Sequence, residues 1–302
     1  MKILLLGKNG QVGWELQRAL QPLGQVFALD REIDVVTGLC GDVANFTAIL
    51  TAIQKVQPDI VVNATAYTTV DQAEAEKEQA DLINHLAVKH LAKQCKAYDC
   101  LLIHYSTDYV FDGSGTQAWQ EHDIKAPLNV YGHSKRSGEI ALEQSQTRFI
   151  NFRTSWVYAV HGHNFIKTML KLAQNRNELS IIDDQIGAPT GAALIADITA
   201  QVIRYYQLNK DQQSTLYGHY HLAAQGETSW FSYAQFIFEI AQKLGVDLQV
   251  KKVNPISTAV YPTPAKRPLN SRLNTQKLQH SFQIHLPPWQ VGVEQVIGEI
   301  IT

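Results

Sequence analysis

Cysteine is scarce in this 302-residue chain, which holds only Cys40, Cys95 and Cys100. Their odd number and scattered positions argue against a disulfide framework, no C-x-x-C pair suggests zinc, and a reducing compartment is expected. Charge of one sign is also missing: 26 Lys and Arg stand against 28 Asp and Glu, for a net charge of −2. Interspersed and balanced in this way, the charges leave no electrostatic footprint for nucleic acid or an anionic membrane. No apolar run is long enough to span a bilayer. The N-terminus lacks the charged n-region, apolar core and cleavage site of a signal peptide. Internal repeats, low-complexity tracts and Gly/Ser linkers are absent. A cytoplasmic globular protein engaged in small-molecule chemistry is what these absences leave, long enough for one large domain or two unequal ones.

What is present is an alternation of short apolar runs with helical patterns, which reads as β-α-β units and a parallel sheet. Lys2 to Leu6, Val26 to Leu29, Ile60 to Val62 and Leu101 to His104 are the first strands, and Phe149 to Thr154 is another. Between them, Glu74 to Ala97 sets Ile83, Leu86, Ala87, Leu91 and Cys95 at helical spacing and predicts one crossover helix. Tyr131 to Gln146 predicts a second long helix. Later helices are expected near Phe165 to Gln174, Leu194 to Tyr206 and Tyr233 to Leu244. The stretch from Val253 to Asn270 holds Pro255, Pro262, Pro264 and Pro268, cannot be regular helix or central strand, and reads as a structured loop. The fold class is therefore α/β, a Rossmann-type doubly wound parallel sheet with a smaller α/β lobe in the C-terminal half. Residues 1–155 are expected to form the first domain, its sheet completed by later segments, and residues 156–302 mainly the smaller lobe.

The chemistry starts at Gly7-Lys8-Asn9-Gly10-Gln11-Val12-Gly13, between the first strand and the first helix. Gly7 permits the tight turn, Gly10 lets a pyrophosphate approach the backbone, Gly13 allows close helix–strand packing, and the helix N-terminus offers amide donors to phosphate. Asp30 ends the second strand, where a carboxylate accepts hydrogen bonds from an adenosine ribose. Arg31 follows it. The carboxylate disfavours a 2′-phosphate and the guanidinium favours one, so the pair predicts tolerance of NADH and NADPH alike. In Tyr131-Gly132-His133-Ser134-Lys135 the tyrosine and lysine share one helix face, and a nearby cation lowers a tyrosine pKa toward proton exchange at neutral pH. Upstream, Thr107 and Asp108 stand where an apolar strand enters a polar turn. Thr107 suits a carbonyl oxygen there and Asp108 a sugar hydroxyl.

Taken in order, GKNGQVG, STDYVF, YGHSK, FRTSWVY, DQIGAPT and TPAKRPLNSRL run over nearly the whole chain. This set resembles the dTDP-4-dehydrorhamnose reductases, a family of extended short-chain dehydrogenases/reductases. The resemblance implies a Rossmann domain with a sugar-nucleotide lobe, and reduction of the C4 ketone of dTDP-6-deoxy-L-lyxo-4-hexulose with NADPH or NADH. It further implies that Gly10, Gln11 and Val12 hold the cofactor pyrophosphate and Asp30 its ribose. By the same likeness, Asp42 and Val43 meet the adenine, and Ala66, Tyr67 and Thr68 run along the cofactor. Tyr131 matches the catalytic acid and Lys135 its partner at the nicotinamide ribose. Thr107 and Asp108 match substrate-site residues, Trp156 a wall of the sugar pocket, and Lys266 and Arg267 become candidates to neutralise the substrate diphosphate.

Some family members are dimers bridged by Mg2+. Glu15 lies on the first helix here, but Gly191-Ala192-Ala193-Leu194 offers no carboxylate, which argues against a bridging metal; a homodimer is left open. His161 and His163 lack a third ligand. Two other readings compete. A dehydratase or epimerase of the same superfamily shares the scaffold, but the dehydratases place Asp-Glu after the threonine, and here Tyr109 follows Asp108. A non-catalytic regulatory subunit shares it too, and the intact Thr107, Tyr131 and Lys135 favour catalysis.

Overall fold

A computed structural model describes residues 1–301. The early apolar runs form β1 (Lys2–Leu6), β2 (Gln25–Leu29), β3 (Ile60–Asn63), β4 (Leu101–Thr107) and β5 (Phe149–Thr154). A sixth strand, Gly218–His221, comes from the C-terminal half and pairs with β5. All pairings in this sheet are parallel, in the order Gly218–His221, β5, β4, β3, β1, β2. Crossovers run one way from β1 to β2 and the other way from β3 onward. A crevice therefore opens at the strands' C-terminal ends beside β1, where ligands bind in doubly wound sheets.

Alternation along the strands builds two cores. Ile3 and Leu5 join one apolar cluster and Leu4 and Leu6 the other, all of them 0% exposed. Helix α1 (Gln11–Ala19) and the helices Ala192–Leu208 and Gln276–Phe282 cover the first face. The helices Phe46–Val56 and Ala87–Ala97 cover the second. Each fully buried leucine or isoleucine contributes about 1.5–3 kcal/mol. A third cluster belongs to the smaller lobe, where the helices Phe165–Ala173, Trp230–Lys243 and Trp289–Ile301 pack beside a two-stranded sheet.

That small sheet corrects one expectation. Lys252–Ile256 is a strand, paired in parallel with Glu178–Ile182, and Pro255 sits within it opposite Ile181. A two-stranded sheet has only edges, and an edge tolerates a residue without an N–H. The rest of the proline-rich stretch passes through a 3-10 turn at Thr258–Val260 and touches the lobe at isolated bridges such as Ile186 with Asn270.

The crossover helix expected over 74–97 is also interrupted. It runs as Lys77–Asp81, a π-helical turn at Leu82–Leu86, and Ala87–Ala97. The wider turn shifts the register, so Leu86 faces solvent at 38% exposure while Ala87, Leu91 and Cys95 stay buried. It also delivers Asn84 into the interior. There the Asn84 side chain brackets Tyr67, accepting from its N–H at 2.9 Å and donating to its carbonyl at 3.0 Å, and donates to the Ser134 hydroxyl at 3.0 Å. Gly138 makes this crossing possible, since a Cβ there would stand 2.2 Å from the Asn84 carbonyl oxygen.

Candidate active site

The glycine loop is built as its spacing predicts. Gly7 adopts a φ of 87°, its N–H and that of Lys8 donate to the Leu29 carbonyl at 3.0 and 3.2 Å, and the Gly10 N–H closes the turn onto Gly7 O at 3.1 Å. A Cβ on Gly13 would lie 1.9 Å from Gly7 O, so only glycine lets α1 start this close to the strand end. At Gly10 a Cβ would meet nothing nearer than Gly7 O at 3.5 Å, so its bareness leaves open space on the cavity side instead of serving internal packing. No side chain caps α1. Its first amides face a cavity of about 510 Å³, floored by Gly10, Gln11 and Val12. A cradle of bare backbone at an uncapped helix N-terminus fits a dinucleotide pyrophosphate.

Of the other sequence-derived residues, Ala66, Thr68, Thr107, Asp108, Tyr131, Lys135, Trp156 and Arg267 also line this cavity. Asp30 stands beside the loop, accepting from the Arg31 amide at 2.8 Å and from the Asn9 side chain, with Arg31 exposed. Asp42 turns its carboxylate to the Ala44 amide at 3.1 Å, and the Val43 side chain belongs to the core at 4% exposure. Tyr67 lies outside the cavity lining, its hydroxyl donating to Glu76 at 2.8 Å. Lys266 and Arg267 part company. Lys266 is exposed and engages only its backbone carbonyl, with Asn129 at 2.8 Å, whereas Arg267 points inward and pairs with Asp71 at 2.6 Å.

At the strand ends, Thr107 Oγ1 donates to Asp108 Oδ1 at 3.0 Å and accepts from the Tyr109 N–H at 3.2 Å. Asp108 is 3% exposed and its Oδ2 has no hydrogen-bond partner. Burial pushes its carboxyl up to about 6, against the pull of the Ser271 and Thr107 hydroxyls. Such an unpaired acceptor at a cavity wall is a place for a ligand hydroxyl. Tyr131 is 9% exposed and packs edge-on to Tyr109 with centroids 5.7 Å apart. Burial raises its pKa, and a hydrogen bond with Thr107 opposes the rise.

Lys135 lines the same cavity as Tyr131, and its ammonium end is engaged by the strand behind it. Its Nζ donates to the Tyr105 carbonyl at 2.6 Å and lies 3.5 Å from His104 Nε2. Burial lowers it to about 8, with Glu139 pulling the other way. The strand that brings up the Tyr105 carbonyl lies far from Lys135 in sequence, so helical spacing alone could not show this partner.

Trp156 adopts a left-handed φ of 48° and stacks on Trp230 at 3.7 Å, a strained wall of the cavity. Sequence reading missed Trp230 and His163, which also line it. The sequence marks His163 only by its spacing from His161, and no local signal marks Trp230. Among the described residues no group of three or more His, Cys, Asp or Glu could hold a metal ion, and Glu15 lies 3.7 Å from Arg18.

Comparison with known proteins gives a family match over residues 1–301, to the RmlD substrate binding domain. The chain is 52% identical over 302 residues to the dTDP-4-dehydrorhamnose reductase of Escherichia coli K12, covering 100% of this chain and 99% of that one. It is 40% identical over 304 residues to the Burkholderia thailandensis enzyme of the same name, covering 100% of both. Among solved structures, it is similar to a Bacillus anthracis dTDP-4-dehydrorhamnose reductase in complex with NADP, with TM-score 0.85, 33% identity and 99% of each chain covered.

Proposed function

This chain belongs to the dTDP-4-dehydrorhamnose reductase family, and from that premise we propose that it reduces the C4 ketone of dTDP-6-deoxy-L-lyxo-4-hexulose to give dTDP-L-rhamnose, the last step in making that sugar nucleotide. The observation that carries the reading is one cavity in which the glycine loop, the Tyr131 hydroxyl, Thr107 and the unpaired oxygen of Asp108 meet. Bound NADPH or NADH supplies the hydride.

The residues divide the remaining work. Gly10, Gln11 and Val12 receive the cofactor pyrophosphate on backbone amides, and Asp30 receives the adenosine ribose. Asp42, Val43, Ala66, Tyr67 and Thr68 flank the cofactor, Tyr67 and Val43 through backbone. Lys135 holds the nicotinamide ribose. On substrate binding the Thr107 proton, given to Asp108 in the free protein, turns to the ketone oxygen, and Asp108 accepts from a sugar hydroxyl. Tyr131 donates its proton to the oxygen on C4 as negative charge develops there. Trp156 walls the sugar, and Arg267, with its charge shared by Asp71, faces the diphosphate; Lys266 gives a weaker, solvated cation nearby. No residue in this scheme requires a Lewis acid.

Residues 1–155 serve the cofactor and 156–302 mainly the sugar nucleotide in this reading, with Gly218–His221 and Ala192–Leu208 lent to the first domain. The balanced charge of −2 suits a cytoplasmic enzyme that binds a dTDP-sugar and neither nucleic acid nor membrane, as monomer or homodimer. The test is an absorbance assay of NADPH and NADH oxidation with the 4-keto sugar nucleotide made in situ. Stoichiometric oxidation with formation of dTDP-L-rhamnose is expected. Turnover without net cofactor oxidation would identify a dehydratase or epimerase instead, and no turnover a regulatory subunit.

A further inference from the structure

Behind the cavity three side chains stand in a row: Asn63 at the end of β3, His104 on β4 and Lys135 on the helix Val130–Ser145, exposed by 1%, 2% and 1%. Asn63 Oδ1 accepts from the Thr65 backbone N–H at 3.2 Å and from the Thr65 hydroxyl at 2.6 Å. Turning the carboxamide over would set its NH2 against that backbone N–H, so the amide has one orientation. Its Nδ2 then faces His104 Nδ1 at 3.1 Å. A carboxamide nitrogen donates and does not accept, so Nδ1 is the bare nitrogen and the imidazole proton resides on Nε2. That Nε2–H points at Lys135 Nζ, 3.5 Å away. An ammonium group has no lone pair to receive it, and a neutral amine has one. The Tyr105 carbonyl, 2.6 Å from Nζ, accepts from either form.

We propose that His104 is a positioning residue that acts through Lys135: locked by Asn63 as the Nε2–H tautomer, it favours the lysine that has released its proton. The proposal rests on the reading of Lys135 as the residue that holds the nicotinamide ribose. The groups packed around this row act in both directions. Glu139, on the same helix as Lys135, favours the ammonium, but Arg153 of β5 engages its carboxylate at 2.7 and 2.9 Å. Burial, and then the charge that Lys135 carries when protonated, hold His104 neutral and His219 on the sixth strand acts in the same direction, while Glu139 and the Asn63 backbone carbonyl, which accepts from a ring N–H, act against them. Arg136, next to Lys135 on the helix, also engages Glu139 at 3.2 Å, and Tyr131, one turn earlier, is held protonated by burial. Burial lowers Lys135 in the same direction as this contact does.

Two experiments test this. Long-range 1H–15N spectra of the protein labelled at histidine nitrogen, with His104 assigned through His104→Gln, are expected to show a protonated Nε2 and a bare Nδ1 throughout the neutral range. A protonated Nδ1 overturns the proposal, whatever the enzyme's activity. In Asn63→Ala the ring is free to carry its proton on Nδ1 and to accept from the ammonium at Nε2. The alkaline loss of NADPH affinity, followed by fluorescence titration, should then move up by about one pH unit. A folded variant whose midpoint stays or falls overturns it. If wild type shows no alkaline loss at all, the ribose role of Lys135 fails and takes the functional half of the proposal with it, and the histidine spectrum separates that failure from a wrong tautomer.

Discussion

Arg153 on β5 grips Glu139 through two hydrogen bonds, Nε to Oε1 at 2.7 Å and Nη2 to Oε2 at 2.9 Å, and neither side chain has any exposed surface. The pair joins the helix that carries Tyr131 and Lys135 to the central sheet. Removing one partner leaves a buried charge alone, so Glu139→Gln should cost about 3–5 kcal/mol, and Glu139→Gln with Arg153→Met should recover part of it. Burial by itself would raise the Glu139 carboxyl, but the charge and hydrogen bonds of Arg153 hold it at about 2. A depressed carboxyl contributes stability in full above its ordinary value near 4.5, lost as pH falls toward about 2. Thermal melts across that window should show a steep loss in wild type and a shallower one in Glu139→Gln.

Asp108 behaves in the opposite way. Burial raises its carboxyl from 3.8 to about 6, so the folded protein holds this proton more tightly than the unfolded chain. Stability therefore falls as pH rises through that window. Asp108→Asn should be more stable than wild type at neutral pH by about 1–3 kcal/mol and should bind the sugar nucleotide more weakly. Denaturant titration and substrate KM, measured together, check both halves. A variant that loses both stability and affinity would contradict the account.

Tyr131→Phe keeps the ring and its edge contact with Tyr109 while removing the proton donor. Loss of a positioned acid lowers kcat by about 10² to 10⁴-fold, and the cofactor Kd should stay near wild type. Retention of more than about a tenth of kcat would remove Tyr131 from the role.

Asp30 stands at the end of β2 with Arg31 beside it. Asp30→Ala should shift preference toward NADPH, because the carboxylate that repels a 2′-phosphate is gone while the guanidinium remains. The ratio of kcat/KM for the two cofactors measures this, and an unchanged ratio would rule out the assigned role.

EDTA should leave turnover intact, since proton donation by a tyrosine needs no Lewis acid. Inactivation by chelation with recovery on Mg2+ would show the opposite.

The sequence alone determined the doubly wound sheet, the glycine loop and the set Thr107, Asp108, Tyr131 and Lys135 that one cavity gathers. These are local signals: an apolar run, a turn that only glycine allows, two side chains one helical turn apart. Where the backbone departed from regular periodicity the reading failed, as at the π turn over Leu82–Leu86 and at the edge strand that accepts Pro255. The partners of the charged groups were decided by tertiary structure. Arg267 meets Asp71 across 196 positions, and Lys135 meets the carbonyl of Tyr105 across 30. A residue's spacing fixes which way it points from its own helix or strand. What it meets there, and so whether it keeps its proton, depends on chain that arrives from elsewhere, and on how far the assembled fold excludes water.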